Sequence, residues 1–384
     1  MQYNIEIFLS IIPLLAWLYL LFFYANRKLQ FNGLFWKSNI IIENQKIHQP
    51  ALKQNFSLCF IIPARNEEKY IGKTIKSILS QKLNKFVLII DDNSCDNTEK
   101  KAKKTFRNAK FTEYKIIKGK KLPNGWSGKV WALKQGVDLV IKKKFSHFIF
   151  IDADIILKEK VIVRAINFMN DKKLSMLSLM AKLKCMTFWE YLLIPSFIYF
   201  FQKLYPFSKV NNHKENLAAA AGGFIMCKAE LFKRQNLYEQ IKYKIIDDCN
   251  LAKIIKGTGN HIWLGLTNLV ESQRSYSRLE QIWKMVTRTA FEQLNNSIFL
   301  LIISILGMIM IYLMPFINLI NPNFNILIIL NLASIFLMLL SFSPTAKFYK
   351  LSFVFYLSLP FSSVIYMLMT LSSGYNHYFK NGNI

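Results

Sequence analysis

The residues in this sequence best equipped for chemistry are acidic, and they occur in clusters. Glu67 stands in Pro63-Ala64-Arg65-Asn66-Glu67-Glu68, directly after the apolar run Leu58–Ile62. Asp91-Asp92-Asn93-Ser94 follows the run Phe86–Ile90, and Asp152-Ala153-Asp154 follows His147–Ile151. Separate carboxylate clusters that converge on one crevice repel unless a cation or hydrogen-bond donors balance them. A Mg2+ or Mn2+ ion bridging a diphosphate is the usual balance, because such ions prefer oxygen ligands. Asp152 and Asp154, which end a buried run, are candidate ligands for such an ion, with helix capping as the structural alternative. Lys129 opens a helix after Gly125 and Gly128, a position suited to an anion. Asp247 and Asp248 open another apparent helix that runs through Ile255. Acidic pairs also cap helices and make turns, so one member of either Asp pair could be purely structural. His147, His213, His261 and Cys249 have no partners at metal-ligand spacing and read as structural.

The elements that must position these residues are legible as alternating short apolar runs and longer helical stretches. Strands are expected at Leu58–Ile62, Phe86–Ile90, Tyr114–Ile117 and His147–Ile151, with helices at Tyr70–Leu83, Asp96–Phe106 and Lys129–Val140. That alternation predicts an α/β fold of parallel βαβ units. In such sheets ligands bind at the carboxyl ends of the strands, where residues 63–67, 91–94 and 152–154 lie.

The flanks have a different character. Of 384 residues, 52% are hydrophobic, and the apolar runs concentrate at the two ends. Ile5–Tyr24 is long enough to cross a bilayer and is followed by Arg27 and Lys28, which reads as an anchor in residues 1–26. Ile298–Ile320, Ile326–Phe342 and Leu351–Leu371 give three more expected spans in residues 298–372. Counting positive charge places Arg27, Lys28 and the loop with Lys347 and Lys350 in the cytoplasm, and the uncharged Asn321–Asn325 loop outside. The expected location is therefore the cytoplasmic membrane, multi-pass, with a cytoplasmic catalytic domain at 55–293. Within that domain, residues 188–205, interrupted by Pro195, read as an interfacial or buried helix, and 278–294 as an amphipathic helix. The net charge of +27 is scattered and accompanied by no zinc-finger, homeodomain or ribonucleoprotein signature, so it is assigned to a membrane partner and not to nucleic acid. Five cysteines without C-x-x-C spacing predict neither a disulfide framework nor a zinc site.

The series PARNEE at 63–68, DDNSCDNT at 91–98, GWSGKVWAL at 125–133 and DAD at 152–154 resembles glycosyltransferase family 2 with a GT-A fold. AGGF at 221–224, DDCNLA at 247–252 and the stretch 271–294, together with the span layout, resemble the hopene-associated glycosyltransferases. The resemblance implies a nucleotide-sugar donor held by Ala64, Arg65, Glu67, Asp91 and Asp92, with Gly128 and Lys129 under the nucleotide. It implies a metal on Asp152 and Asp154 with Asp152 also at the donor, Asp248 as general base beside Asp247, and an inverting transfer. Gly222, Gly223 and Arg288 are expected near the acceptor, taken to be a lipid. Arg288 is followed by Thr-Ala-Phe and not by the Trp of the Q-x-x-R-W motif, which argues against the alternative of a processive polysaccharide synthase. An inactive membrane scaffold is the alternative outside enzymology.

Overall fold

The computed structural model describes residues 2–24, 57–320 and 325–379, which form two compact units. One holds the sheet, in residues 37–184 and 205–274; the other is helical, in residues 1–36, 185–204 and 275–384.

Among the described residues, the sheet unit has eight strands in the order β3-β2-β1-β4-β7-β6-β8-β5. These are β1 Leu58–Ala64, β2 Lys85–Asp91, β3 Tyr114–Lys118, β4 His147–Ile151, β5 Ile155–Leu157, β6 Met176–Lys182, β7 Phe224–Lys228 and β8 Ile262–Ser272. The first half, β3-β2-β1-β4, is parallel throughout, as the alternation predicts. The second half is mixed: β7 runs antiparallel to both neighbours, and β8 parallel to β6. Strands β1 and β4 are apolar along most of their length because helices cover both sheet faces.

β1 pairs with β2 out to Ala64 and Asp91, but with β4 only as far as Ile61 and Phe150. Pro63 lies beyond the β4 pairing, where its missing N–H costs no ladder bond. The two strands part there, and the gap is the floor of a crevice. The helix Gly128–Val140 packs over β1 and β2 at Gly136, where a Cβ would come within 2.9 Å of Ile61 Cγ2 and 2.8 Å of Ile90 Cδ1. A side chain there would have to push the Ile61 and Ile90 side chains aside.

In the helical unit, the helix Gln2–Leu18 and a π-helical turn Tyr19–Phe23 pack beside the long helix Asn325–Tyr349. Trp17 Nε1 donates to the Ile311 carbonyl at 3.0 Å, and Asn331 Nδ2 to Ser10 Oγ at 3.0 Å. Residues 188–205, expected inside the catalytic domain, instead form the helix Phe188–Leu204 of this unit. Pro195 removes the N–H that would bond the Tyr191 carbonyl, and the two carbonyls that follow accept hydroxyls from the same unit: Ser362 Oγ donates to Leu192 O at 2.8 Å and Tyr366 OH to Leu193 O at 2.9 Å. The amphipathic helix, Leu279–Thr287, also belongs here.

Among the described residues, two helical segments are long and apolar enough to cross a membrane, Ile298–Ile317 and Asn325–Tyr349; Glu6–Phe22 is apolar but shorter. The expected last span is broken after a short turn at Phe353–Tyr356 and resumes as Leu359–Phe379, whose apolar character Ser362, Ser363, Thr370, Ser372 and Ser373 dilute. Lys347, expected in a loop, sits in the last turn of Asn325–Tyr349. Arg27, Lys28 and most of the expected outside loop lie beyond the described residues.

Gly136→Val should overpack the helix–sheet contact and lower unfolding stability by about 1–3 kcal/mol. Denaturant unfolding of the detergent-solubilised protein measures this; an unchanged midpoint would show that Ile61 and Ile90 have room to move.

Candidate active site

Residues at the carboxyl edge of β1 and β4, with the helix starts that face them, build one crevice. Its polar lining is Lys129, Asp152, Asp247 and Asp248, set among Pro63, Gly222 and Tyr238. Lys129 comes from the first turn of Gly128–Val140 and Asp152 from the end of β4; their Nζ and Oδ1 atoms are 2.8 Å apart. Asp247 and Asp248 form the first turn of the helix Asp247–Gly257, where the helix dipole favours negative charge. Gly222 completes the contact: a Cβ there would stand 3.0 Å from Lys129 Nζ and 3.2 Å from Asp248 Oδ2.

Burial pushes the Asp248 carboxyl up and Asp247 adds to the rise, while Lys129 and the backbone N–H groups of Cys249 and Gly222 oppose it; the result is a pKa of about 6. One of these bonds, from Cys249 N to Asp248 Oδ1, is 2.7 Å long. Burial by itself would lower the Lys129 pKa, but Asp152, Asp247 and Asp248 outweigh it and hold the ammonium charged well above its ordinary range. The crevice thus joins a permanent cation to a carboxylate that gains and loses a proton close to neutrality.

The loops after β1 and β2 are zipped together beside it. Asn66 N donates to Ser94 Oγ at 3.0 Å, Cys95 N to Asn66 Oδ1 at 2.8 Å, and Glu67 N to Thr98 Oγ1 at 2.8 Å. Asp91 accepts from Ser94 N at 2.9 Å and so fastens its own turn. Asp92 faces Arg65 at 3.7 Å and stands 3.5 Å from where a Cβ of Gly128 would be. Burial raises the Asp92 pKa, Arg65 pulls it back, and Asp91 raises it further.

Asp154 lies behind the crevice, where its Oδ2 takes Ser272 Oγ at 2.9 Å and Arg274 Nε at 3.2 Å. The same guanidinium pairs with Glu67. Gly223 packs against Ala181 and Ile155 just before β7. Arg288 does not line the crevice; it is exposed at the end of Leu279–Thr287 in the helical unit.

Residues 59–235, which carry most of this arrangement, match the glycosyl transferase family 2 profile. The chain carries a glycosyl transferase family 2 domain. The 4,4'-diaponeurosporenoate glycosyltransferase of Staphylococcus aureus is 34% identical over 118 residues, which cover 30% of this chain and 29% of that protein. An uncharacterised protein of Methanocaldococcus jannaschii is 36% identical over 95 residues, 24% of this chain and 38% of that protein. The chain thus aligns with less than two fifths of either relative's length. A mannosyltransferase of Pyrobaculum calidifontis, solved in complex with GDP-Man and Mn2+, superposes with a TM-score of 0.52 at 11% identity, covering 97% of this chain and 99% of that one. At that identity the likeness is one of fold, the α/β GT-A architecture.

Two residues of the polar site, both beyond the matched segment 59–235, have no role assigned from the sequence. Tyr238 lines the crevice, and Arg274 ties the loop after β1 to the turn after β4. The signal for Arg274 was present: the apolar run Ile262–Val270 ends just before it. β8 runs parallel to β1, so its carboxyl end reaches the same sheet edge. Tyr238 follows no comparable strand, and only the folded chain brings it in.

Two outcomes follow from Asp248. Its folded pKa of about 6 exceeds the ordinary 3.8, so its contribution to stability is present at low pH and lost as the pH rises through 6. The melting temperature of Asp248→Asn should therefore gain on the native protein between about pH 4 and 6 and hold that gain above it; a gain that grows toward low pH would contradict the assignment. Gly222→Ala should leave the fold intact but displace Lys129 or Asp248 by a few tenths of an ångström. Nucleotide-sugar turnover should then fall roughly ten-fold or more, with unchanged turnover as the contrary result.

Proposed function

We propose that this protein is a membrane-bound, inverting glycosyltransferase that moves a sugar from a nucleotide-diphospho-sugar to a lipid acceptor at the cytoplasmic leaflet. The observation that carries the reading is the crevice itself, with Lys129 and Asp152 facing Asp247 and Asp248 at the carboxyl edge of a GT-A sheet. Arg65 and Asp92, on the zipped loops, suit the nucleotide base and ribose, together with Ala64 and Glu67. Asp91 supports them through its turn.

Charge balance favours a divalent ion with the donor. Among the described residues, the carboxylates of Glu67, Asp92, Asp152, Asp154, Asp247 and Asp248 share the charges of Arg65, Lys129 and Arg274, so a diphosphate entering alone adds negative charge to an acidic crevice. Among the described residues no group of three acidic, His or Cys side chains forms a complete metal cage. That donor set suits Mg2+ or Mn2+, which takes one or two protein carboxylates and completes its shell from phosphate and water. Asp152, whose side chain is 36% exposed, would hold the ion, with Asp154 through its second oxygen. When bound, the ion supplies positive charge for the leaving diphosphate.

The chain's own residues do the remaining work. Lys129 holds the diphosphate oxygens, and Asp248 accepts the proton of the acceptor hydroxyl. That oxygen bonds to the anomeric carbon on the face opposite the leaving group. The bond from carbon to the diphosphate oxygen breaks, and its electron pair leaves with the nucleoside diphosphate.

Support for membrane residence comes from Ile298–Ile317, whose Phe299, Ile302 and Leu306 are exposed without protein cover. Glu6–Phe22 and Leu359–Phe379 would complete four spans, with both termini outside. The Staphylococcus aureus relative is named for 4,4'-diaponeurosporenoate, which favours a lipid-type acceptor here; a hopanoid is the acceptor class implied by the sequence resemblance.

The test uses purified full-length protein with a panel of UDP- and GDP-sugars, membrane lipid extract and Mn2+. One glycolipid should form, with kcat/KM rising through about pH 6, and Asp248→Asn should lower the rate by about 100-fold or more. Turnover that is undiminished in Asp248→Asn, or a ladder of long products, would contradict the reading.

A further inference from the structure

The segment at the end of β8 is stitched to the turn after β4 by more bonds than a strand end requires. Ser272 Oγ and Arg274 Nε both donate to Asp154 Oδ2, at 2.9 and 3.2 Å, and Gln273 N donates to the Asp154 carbonyl at 2.8 Å. Gln273 Nε2 donates to Thr74 Oγ1 at 3.1 Å, and that hydroxyl donates to the Ala153 carbonyl at 2.7 Å. The Arg274 guanidinium also pairs with Glu67 and lies 5.3 Å from the Tyr70 ring centroid. Burial raises the Glu67 pKa, and Arg274 pulls it back toward the ionised form.

We infer that Arg274 is the resting counter-ion of the Asp154–Glu67 pair and keeps a divalent cation from binding at Asp154 before the donor arrives. The inference rests on the donor-site reading above. A guanidinium 3.2 Å from Asp154 Oδ2 offsets the charge of the whole carboxylate and repels a second cation at its other oxygen. An arriving diphosphate brings negative charge that accepts the planar fork, so Asp154 is released while Glu67 and Tyr70 retain the guanidinium. Ion and donor then enter together. The same residues hold the turn after β4 in register between turnovers, which makes Arg274 a positioning residue.

The test is Mn2+ binding by the purified full chain, read from the electron paramagnetic resonance of free Mn2+, with no nucleotide and then with UDP or GDP. The native protein should bind Mn2+ weakly alone and much more tightly with nucleotide. Arg274→Gln should raise the nucleotide-free affinity about ten-fold or more and shrink the gain that nucleotide brings. Arg274→Lys, which keeps the charge, should stay close to the native value. Tyr70→Leu, which removes only the ring beneath the guanidinium, should raise the nucleotide-free affinity about three-fold and serves if Arg274→Gln folds poorly. Nucleotide-free affinity unchanged in both Arg274→Gln and Tyr70→Leu would overturn the inference alone. No Mn2+ binding to any of these proteins, with or without nucleotide, would remove the metal reading of the site and this inference with it.

Discussion

The ion pair between Lys129 and Asp152, 2.8 Å apart, is the contact on which the rest of the site depends. It places a cation among acidic groups that would otherwise repel, and those groups in turn hold the cation charged. Gly222 keeps that cluster undisturbed, since a Cβ there would push Lys129 or Asp248 aside. Asp248 gains a pKa close to neutrality because it is partly desolvated and stands beside Asp247, with Lys129 limiting the rise. A base poised in this way can take a proton from a hydroxyl and release it again without leaving the physiological range.

The sheet explains why these residues meet. β1 and β4 separate after Ile61 and Phe150, and the helix Gly128–Val140 is drawn down at Gly136 so that its first turn reaches the gap. The antiparallel β7 returns the chain so that Gly222 enters beside Asp248, while β8 restores the parallel direction and brings Arg274 to the same edge. Lys129 and Arg274, the two cations paired with the turn after β4, therefore arrive from distant parts of the sequence.

Local pattern carried the parallel half of the fold and the positions of Asp92, Asp152 and Asp248, because apolar runs and the acidic turns after them are contiguous in sequence. It did not carry the mixed half, where β7 and β8 depend on long-range pairing, nor the roles of Tyr238 and Arg274. Hydropathy found Ile298–Ile317 and Asn325–Tyr349 but set the last span too early, at Leu351–Leu371, where the helix begins at Leu359 and runs to Phe379. Phe188–Leu204 was read as part of the catalytic domain from its place in the chain. Its carbonyls at Leu192 and Leu193 are satisfied by Ser362 and Tyr366, residues about 170 positions away, which no local pattern reveals.

The most direct measurement is a calorimetric titration of the purified full chain with UDP and GDP, in Mn2+ and in EDTA, beside Lys129→Ala. A donor site balanced as described should bind one of the two nucleotides well in Mn2+, poorly in EDTA, and poorly in Lys129→Ala under either condition. Binding that is equally tight in EDTA and in Lys129→Ala, or absent for both nucleotides, would contradict it.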